Sequence, residues 1–222
     1  MNRGGAAMAW YKETFATCDP VRFETYAESE ESCRQVDFII DKLEPEPGGR
    51  VLELCCGQGR HLVELARRGY DVVGLGLSEY TLAECRTAAA ASIDPVLVHA
   101  DMREIGCTSE FDAVINMCTA FGCLASDDGD QEVLNAASLA LRGGGLLLLD
   151  LTNRDRLMNV FKPVECHDNC LGEPILSEGD FDPTPFSHES RRMIVIAAKQ
   201  THRTFEPRIA GSRSWGRRTA YA

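Results

Sequence analysis

Residues 50–61 read Arg50-Val-Leu-Glu-Leu-Cys-Cys-Gly57-Gln-Gly59-Arg60-His61, and this stretch constrains the chain most. Arg50 to Cys55 has the apolar run of a buried strand and follows Pro47-Gly48-Gly49. Gly57 and Gly59 mark a turn. His61 to Arg68 has helical spacing, with Leu62, Val63, Leu65 and Ala66 apolar and Gly69 as the stop. A strand, a glycine turn and a helix bring backbone N–H groups and a helix N-terminus up to a ligand, and glycine removes the Cβ that would block the approach. The turn limits which ligand. A dinucleotide fingerprint asks for a third glycine at position 62, where the chain has Leu62, and no Gly-Lys-Ser/Thr run of a phosphate loop is present.

The elements that follow alternate. Tyr70 to Leu77 reads as a second strand, Ser78 as the cap of a helix over Glu79 to about Ala91, and Pro95 to Ala100 as a third strand ending at Asp101. Phe111 to Met117 is a fourth. Thr119 to Asp130 reads as a long acidic loop, Gln131 to Leu141 as a helix closed by Gly143-Gly144-Gly145, and Leu146 to Leu151 as a fifth strand. Such alternation gives an α/β fold with a doubly wound parallel sheet, helices on both faces, and ligands outside the carboxyl ends of the strands. Glu53 and Cys55, Leu75 to Ser78, Asp101, and Asn116 to Cys118 all lie at those ends. In front of this core, Trp10-Tyr11 and Phe15 form an aromatic segment, and Ser29 or Ser32 caps a helix; Ser32 and Gln35 have capping-box spacing. Behind it, Asn153 to Phe161 reads as a short helix, and Ile175 to Gly179 and Arg191 to Arg203 as antiparallel strands.

The turn Glu53-Leu-Cys-Cys-Gly57-Gln-Gly59-Arg60-His61 resembles the first motif of class I S-adenosylmethionine-dependent methyltransferases, above all a bacterial and archaeal small-molecule group. The likeness continues through Gly74-Leu-Gly-Leu-Ser78, Ala100-Asp101-Met102-Arg103, Phe111-Asp-Ala-Val-Ile-Asn116-Met117 and Gly143-Gly-Gly-Leu-Leu-Leu-Leu-Asp150, in order and at matching spacing. It covers roughly residues 8–208. It implies a Rossmann-like sheet of order 3-2-1-4-5 with a short antiparallel insertion after the fifth strand, and S-adenosylmethionine as cofactor. The family's closing helix and last two strands are missing, so the expectation is one domain over 1–209 with a five-stranded sheet open on one side. Within it, 1–49 is an N-terminal helical segment, 50–152 the cofactor core and 153–209 a partial cover for the substrate. Residues 210–222 form a basic, disordered tail.

The resemblance also assigns cofactor contacts. Gly57 and Gly59 pass under the methionine and ribose, and Glu53 and Cys55 stand at the end of the first strand, Glu53 supporting the methionine ammonium. Arg60 is a candidate for the methionine carboxylate. Asp101 accepts from the adenine amine with Met102 beside it, Leu77 packs on the ring, and Asn116 and Met117 give backbone near the methionine. One position departs from the pattern. The family's second strand ends in an acid that takes both ribose hydroxyls, and here that residue is Gly76. Losing two such hydrogen bonds costs about 2–4 kcal/mol, or roughly 30- to 1000-fold in affinity. Glu79 is the nearest substitute. The alternative is therefore a degenerate, non-catalytic relative.

Composition sets the remaining bounds. The chain of 222 residues is 44% hydrophobic and 26% charged, as a globular domain is. No stretch has the length of a membrane span, and residues 1–10 lack the apolar core of a signal peptide, so the expected location is cytoplasmic with no membrane partner. The net charge is −11, with eight Lys/Arg and one acid in residues 191–222, which leaves −18 on the first 190. An acidic body disfavours nucleic acid. The ten cysteines are scattered, with Cys33, Cys55, Cys56, Cys85 and Cys118 inside elements, which suits buried thiols rather than a disulfide framework. Cys166 to Cys170 has no second ligand pair nearby, so no metal is expected. Asn116-Met-Cys-Thr-Ala-Phe121 is not the Asn/Asp-Pro-Pro-Tyr of nucleobase amino methyltransferases, which leaves a small-molecule acceptor. His61, His99 and Tyr11 are possible general bases, and Asp127, Asp128 and Asp130 a possible attraction for a cationic acceptor.

Overall fold

The computed structural model describes residues 30–89, 93, 95–124, 126–160, 181, 186–200 and 208–209. The strands are β1 Arg50–Leu54, β2 Asp71–Gly76, β3 Val96–His99, β4 Phe111–Asn116, β5 Leu141–Thr152, β6 Arg192–Ala198 and β7 Arg208–Ile209. The helices are α1 Glu30–Leu43, α2 Arg60–Arg67, α3 Glu79–Ala89, α4 Asp127–Ala140 and α5 Arg154–Val160. One sheet joins the strands in the order β3-β2-β1-β4-β5-β6-β7. β1 to β5 are parallel and give the expected 3-2-1-4-5 order.

Adjacent residues of each central strand pack on opposite faces, as a strand fed from both sides requires. Val51, Val72, Ile115 and Leu148 enter one core with Ile39 of α1, Leu62 of α2 and Leu82 of α3. Leu52, Val73, Val114 and Leu147 enter the other with Met102, Ile105 and Val133 and Ala137 of α4. Arg50 anchors the amino end of β1, donating from its backbone to Asp112 at 2.7 Å and from its guanidinium to Glu110 at 2.7 Å.

Four expectations are corrected. The sheet does not stop at five strands: β6 runs antiparallel along β5 from Leu146↔Ala198 to Thr152↔Arg192, and β7 pairs with β6. The unprotected side of β5 is thereby covered, because Met193, Val195 and Ala197 with their neighbours supply a complementary ladder. α4 begins at Asp127 rather than Gln131, because Ser126 caps it by accepting from the Gly129 N–H at 3.2 Å. Asp127, Asp128 and Asp130 therefore lie in the first helical turn, where negative charge complements the helix dipole, and not in a loop. β5 begins at Leu141 and runs through the three glycines, whose backbone is held by the pairs Gly144 N–H to Lys199 O at 3.1 Å and Lys199 N–H to Gly145 O at 2.9 Å. Ser32 is not a cap: α1 already starts at Glu30, and Ser32 and Gln35 are buried within it. The aromatic segment with Trp10, Ser29, Ile175 to Gly179, Cys166 to Cys170 and the 210–222 tail lie outside the described residues.

Candidate functional site

The register sets the strand ends side by side: Leu54 pairs with Leu75 and with Asn116, and Gly76 with His99. The chain bends sharply there. Cys55 (φ 59°) after β1 and Cys118 and Thr119 (φ 59° and 60°) after β4 are non-glycine residues in the left-handed region, a strain that persists only where the surroundings enforce it. The Cys56 N–H is held by Leu75 O at 3.0 Å, and the Gly59 N–H by Cys56 O at 2.8 Å.

The two turn glycines serve different ends. Gly59 has φ +78°, and a Cβ there would lie 2.2 Å from Cys85 Sγ, so it lets α2 sit against α3. Gly57 has φ +53°, and a Cβ there would meet nothing within 4 Å, so its backbone faces open space. Gly59 offers no side-chain cap to α2, which leaves the helix's first N–H groups to other acceptors.

Beside this turn lies Glu53, which is 3% exposed. Its Oε1 is 3.1 Å from His61 Nδ1, while Oε2 is buried and without a partner. The Cys55 thiol stands 3.6 Å from Met102 Sδ and is pushed up to about 12, first by burial, then by Cys123, Asp101 and Glu53. Burial and the Glu53 charge likewise push Cys85 up to about 12 and raise Cys56 further. These thiols stay protonated and act as packing, not as nucleophiles.

The other expected residues fall as follows. Asp101 is buried and held by Arg103, whose Nε and backbone N–H donate to Oδ1 at 2.9 and 3.0 Å and whose second guanidinium nitrogen donates to Oδ2 at 2.8 Å. Met102 and Met117 point into the two cores. Asn116 is a staple: Nδ2 donates to Leu54 O at 3.3 Å, and Oδ1 accepts from the Phe121 N–H at 2.9 Å. Arg60 places a guanidinium nitrogen 2.7 Å from the Sγ of exposed Cys118. The Leu77 carbonyl lies 2.9 Å from His99 Nε2, and Glu79 lies 3.2 Å from His99 Nδ1. Gly76 ends β2 with room for a side chain, since a Cβ would touch Leu82 only at 3.4 Å. His61, buried between Glu53 and Gln35, and His99, held by Leu77 and Glu79, are both committed to structural contacts.

Sequence reasoning missed one pair at this end of the sheet. Asp150 of β5 is buried and takes a two-pronged contact from Arg192 of β6, 2.6 Å from Nε to Oδ1, while Oδ2 also accepts from the Cys118 N–H at 2.8 Å. A carboxylate closing a run of four leucines was the available signal, because such a strand end cannot leave the charge unpartnered.

Comparison with known proteins agrees with this arrangement. Residues 51–145 match the family model described as a methyltransferase domain. The chain is 32% identical to YqeM of Bacillus subtilis (strain 168) over 114 residues, covering 51% of this chain and 46% of that protein. It is 30% identical to a glycine/sarcosine N-methyltransferase of Aphanothece halophytica over 152 residues, covering 64% of this chain and 57% of that enzyme. It thus spans about half the length of these curated relatives. The crystal structure of magnesium protoporphyrin IX methyltransferase from Synechocystis PCC 6803 superposes with a TM-score of 0.55 at 18% identity, covering 68% of this chain and 79% of that one, which is agreement in fold. The sheet order, the glycine turn and the matched core over residues 51–145 are those of a class I S-adenosylmethionine-dependent methyltransferase domain.

Proposed function

We propose that the chain transfers a methyl group from S-adenosylmethionine to a small-molecule acceptor by direct in-line displacement. The observation that carries this reading is Glu53 Oε2, a buried acceptor oxygen with no partner beside the open backbone of Gly57. Such an atom costs stability unless a cation or donor completes it, and the ammonium of the cofactor's methionine has the right charge. When bound, the cofactor supplies a sulfonium-activated methyl carbon, which an acceptor lone pair attacks as the carbon–sulfur bond breaks and the acceptor sheds a proton. The chain's own residues bind and align. Gly57 and the first N–H groups of α2 would border the methionine, Asp101 at the end of β3 would face the adenine amine, and Asn116 fixes the β4 turn against β1. No side chain has to form a covalent intermediate, so the rate comes from holding donor and acceptor in line with water excluded. The likeness to a glycine/sarcosine enzyme supports a small acceptor.

Gly76 favours a second reading, a relative that has lost much of its cofactor affinity. Calorimetric titration with S-adenosylhomocysteine separates the two. Saturable micromolar binding by the native chain is expected, with Gly76→Asp tighter by roughly tenfold or more through restored ribose bonds. Binding by Gly76→Asp alone would establish the second reading. No binding by either folded protein at millimolar ligand would sink both.

A further inference from the structure

Glu53 is the inner end of a chain of polar side chains that crosses from α1 through α2 to β1. Gln35 Nε2 lies 2.7 Å from Glu31 Oε1, Gln35 Oε1 lies 2.7 Å from His61 Nε2, and His61 Nδ1 lies 3.1 Å from Glu53 Oε1. Gln35, His61 and Glu53 are 4%, 1% and 3% exposed, and Glu31, the outer end, is only partly covered. Three polar residues buried along one line are costly unless every contact is a hydrogen bond.

Counting protons fixes the arrangement. Glu31 can only accept, so the Gln35 amide nitrogen must face it and the Gln35 carbonyl must face His61. That carbonyl can only accept, so His61 Nε2 carries a hydrogen. A neutral imidazole has then used its single N–H, and Nδ1 would turn a lone pair toward the Glu53 carboxylate. Two acceptors do not bond. The 3.1 Å contact is a hydrogen bond only with a hydrogen between Nδ1 and Oε1, and it holds Glu53 by this one oxygen. Oε2 is the atom left over.

We propose that Glu31, Gln35 and His61 form a positioning relay that clamps Glu53 through Oε1 and so presents Oε2 to the ammonium of the bound cofactor. His61 is a positioning residue that never touches the cofactor. The proposal rests on the cofactor reading above, and its test keeps the two apart.

Two ligands are titrated: S-adenosylhomocysteine, which has the ammonium, and 5′-methylthioadenosine, which lacks the whole amino-acid part. His61→Leu removes the donor to Glu53 at similar volume, and His61→Asn keeps an N–H near the position of Nδ1. His61→Leu is expected to weaken S-adenosylhomocysteine by roughly tenfold or more and to leave 5′-methylthioadenosine within about twofold, a spread well under 1 kcal/mol. His61→Asn is expected to restore most of the loss. Equal weakening of both ligands would make His61 a packing residue and overturn the relay. So would no effect on either, or a His61→Asn as impaired as His61→Leu. If His61→Leu does not fold, Gln35→Leu replaces it, with a smaller loss of roughly three- to tenfold again confined to S-adenosylhomocysteine. A loss with both ligands, or with neither, overturns the relay there too. Failure of the native chain to bind either ligand defeats the cofactor reading itself.

Discussion

Asp130 shows how one side chain serves two demands at once. It stands in the first turn of α4, where negative charge is favoured, yet Oδ1 is buried without a partner. Burial, then the neighbouring Asp127, raises its carboxyl above the usual range. The folded protein thus holds this proton more tightly than the unfolded chain does. The penalty is absent below the ordinary value of 3.8 and fully present above the raised one, so stability from this group falls as pH rises. Asp130→Asn is expected to melt at the same or a higher temperature than the native chain at pH 7. Its advantage should vanish as pH drops below 3.8 in thermal scans followed by circular dichroism. An advantage that grew in acid would contradict the assignment. The glycines divide in the same residue-by-residue way: Gly59 is demanded by Cys85, whereas Gly76 has space for the acid that the family pattern asks for.

Among the elements, β6 begins on a buried charged contact. Its pairing with β5 ends at Arg192, whose guanidinium closes over Asp150. Arg192→Met would leave a buried carboxylate with the Cys118 N–H as its remaining polar contact named above, and should destabilise by about 3 kcal/mol in urea unfolding. Asp150→Asn in the same chain should return a large part of that loss; a double variant no better than the single one would show that the pair does not act as a unit. This pair also explains what the sequence hid. β1, β2, β4 and α2 were legible because each carries its own apolar run, with glycines beside β1, β2 and α2 as stops. The attachment of β6 was not, because its partner strand lies some forty residues away and no local pattern records it. The start of α4 was hidden by Gly129, which reads as a breaker but sits in the first turn of the helix, where an added Cβ would lie 3.2 Å from Leu124. The glycine turn between β1 and α2 was legible to within one residue, while Gln35 was misread as part of a cap. Its signal was a polar side chain on the inward stripe of α1, and only a partner from another element, His61, gives it meaning.

At the scale of the whole molecule, two cores flank one sheet and seal the thiols unequally. Cys56 and Cys85 are buried between the sheet and α2 and α3, and Cys55 is partly covered, whereas Cys118 is exposed at the carboxyl ends. Brief alkylation of the native chain at pH 8, mapped by mass spectrometry, should modify Cys118 while sparing Cys56 and Cys85 until denaturant unfolds the sheet. Early labelling of Cys85 would mean that the α2–α3 face opens on its own, independent of global unfolding. Among the described residues no helix is long and apolar enough to cross a membrane. The chain leaves the sheet at Thr152 and re-enters it at Arg192, its own register partner. Residues 153–191 therefore begin and end at one point of the fold. The entropy of closing such a loop grows only with the logarithm of its length, about 0.6 kcal/mol per doubling. The length of this connection is therefore a weak constraint on the sheet, whose register from Leu146↔Ala198 to Thr152↔Arg192 is set by the strands themselves.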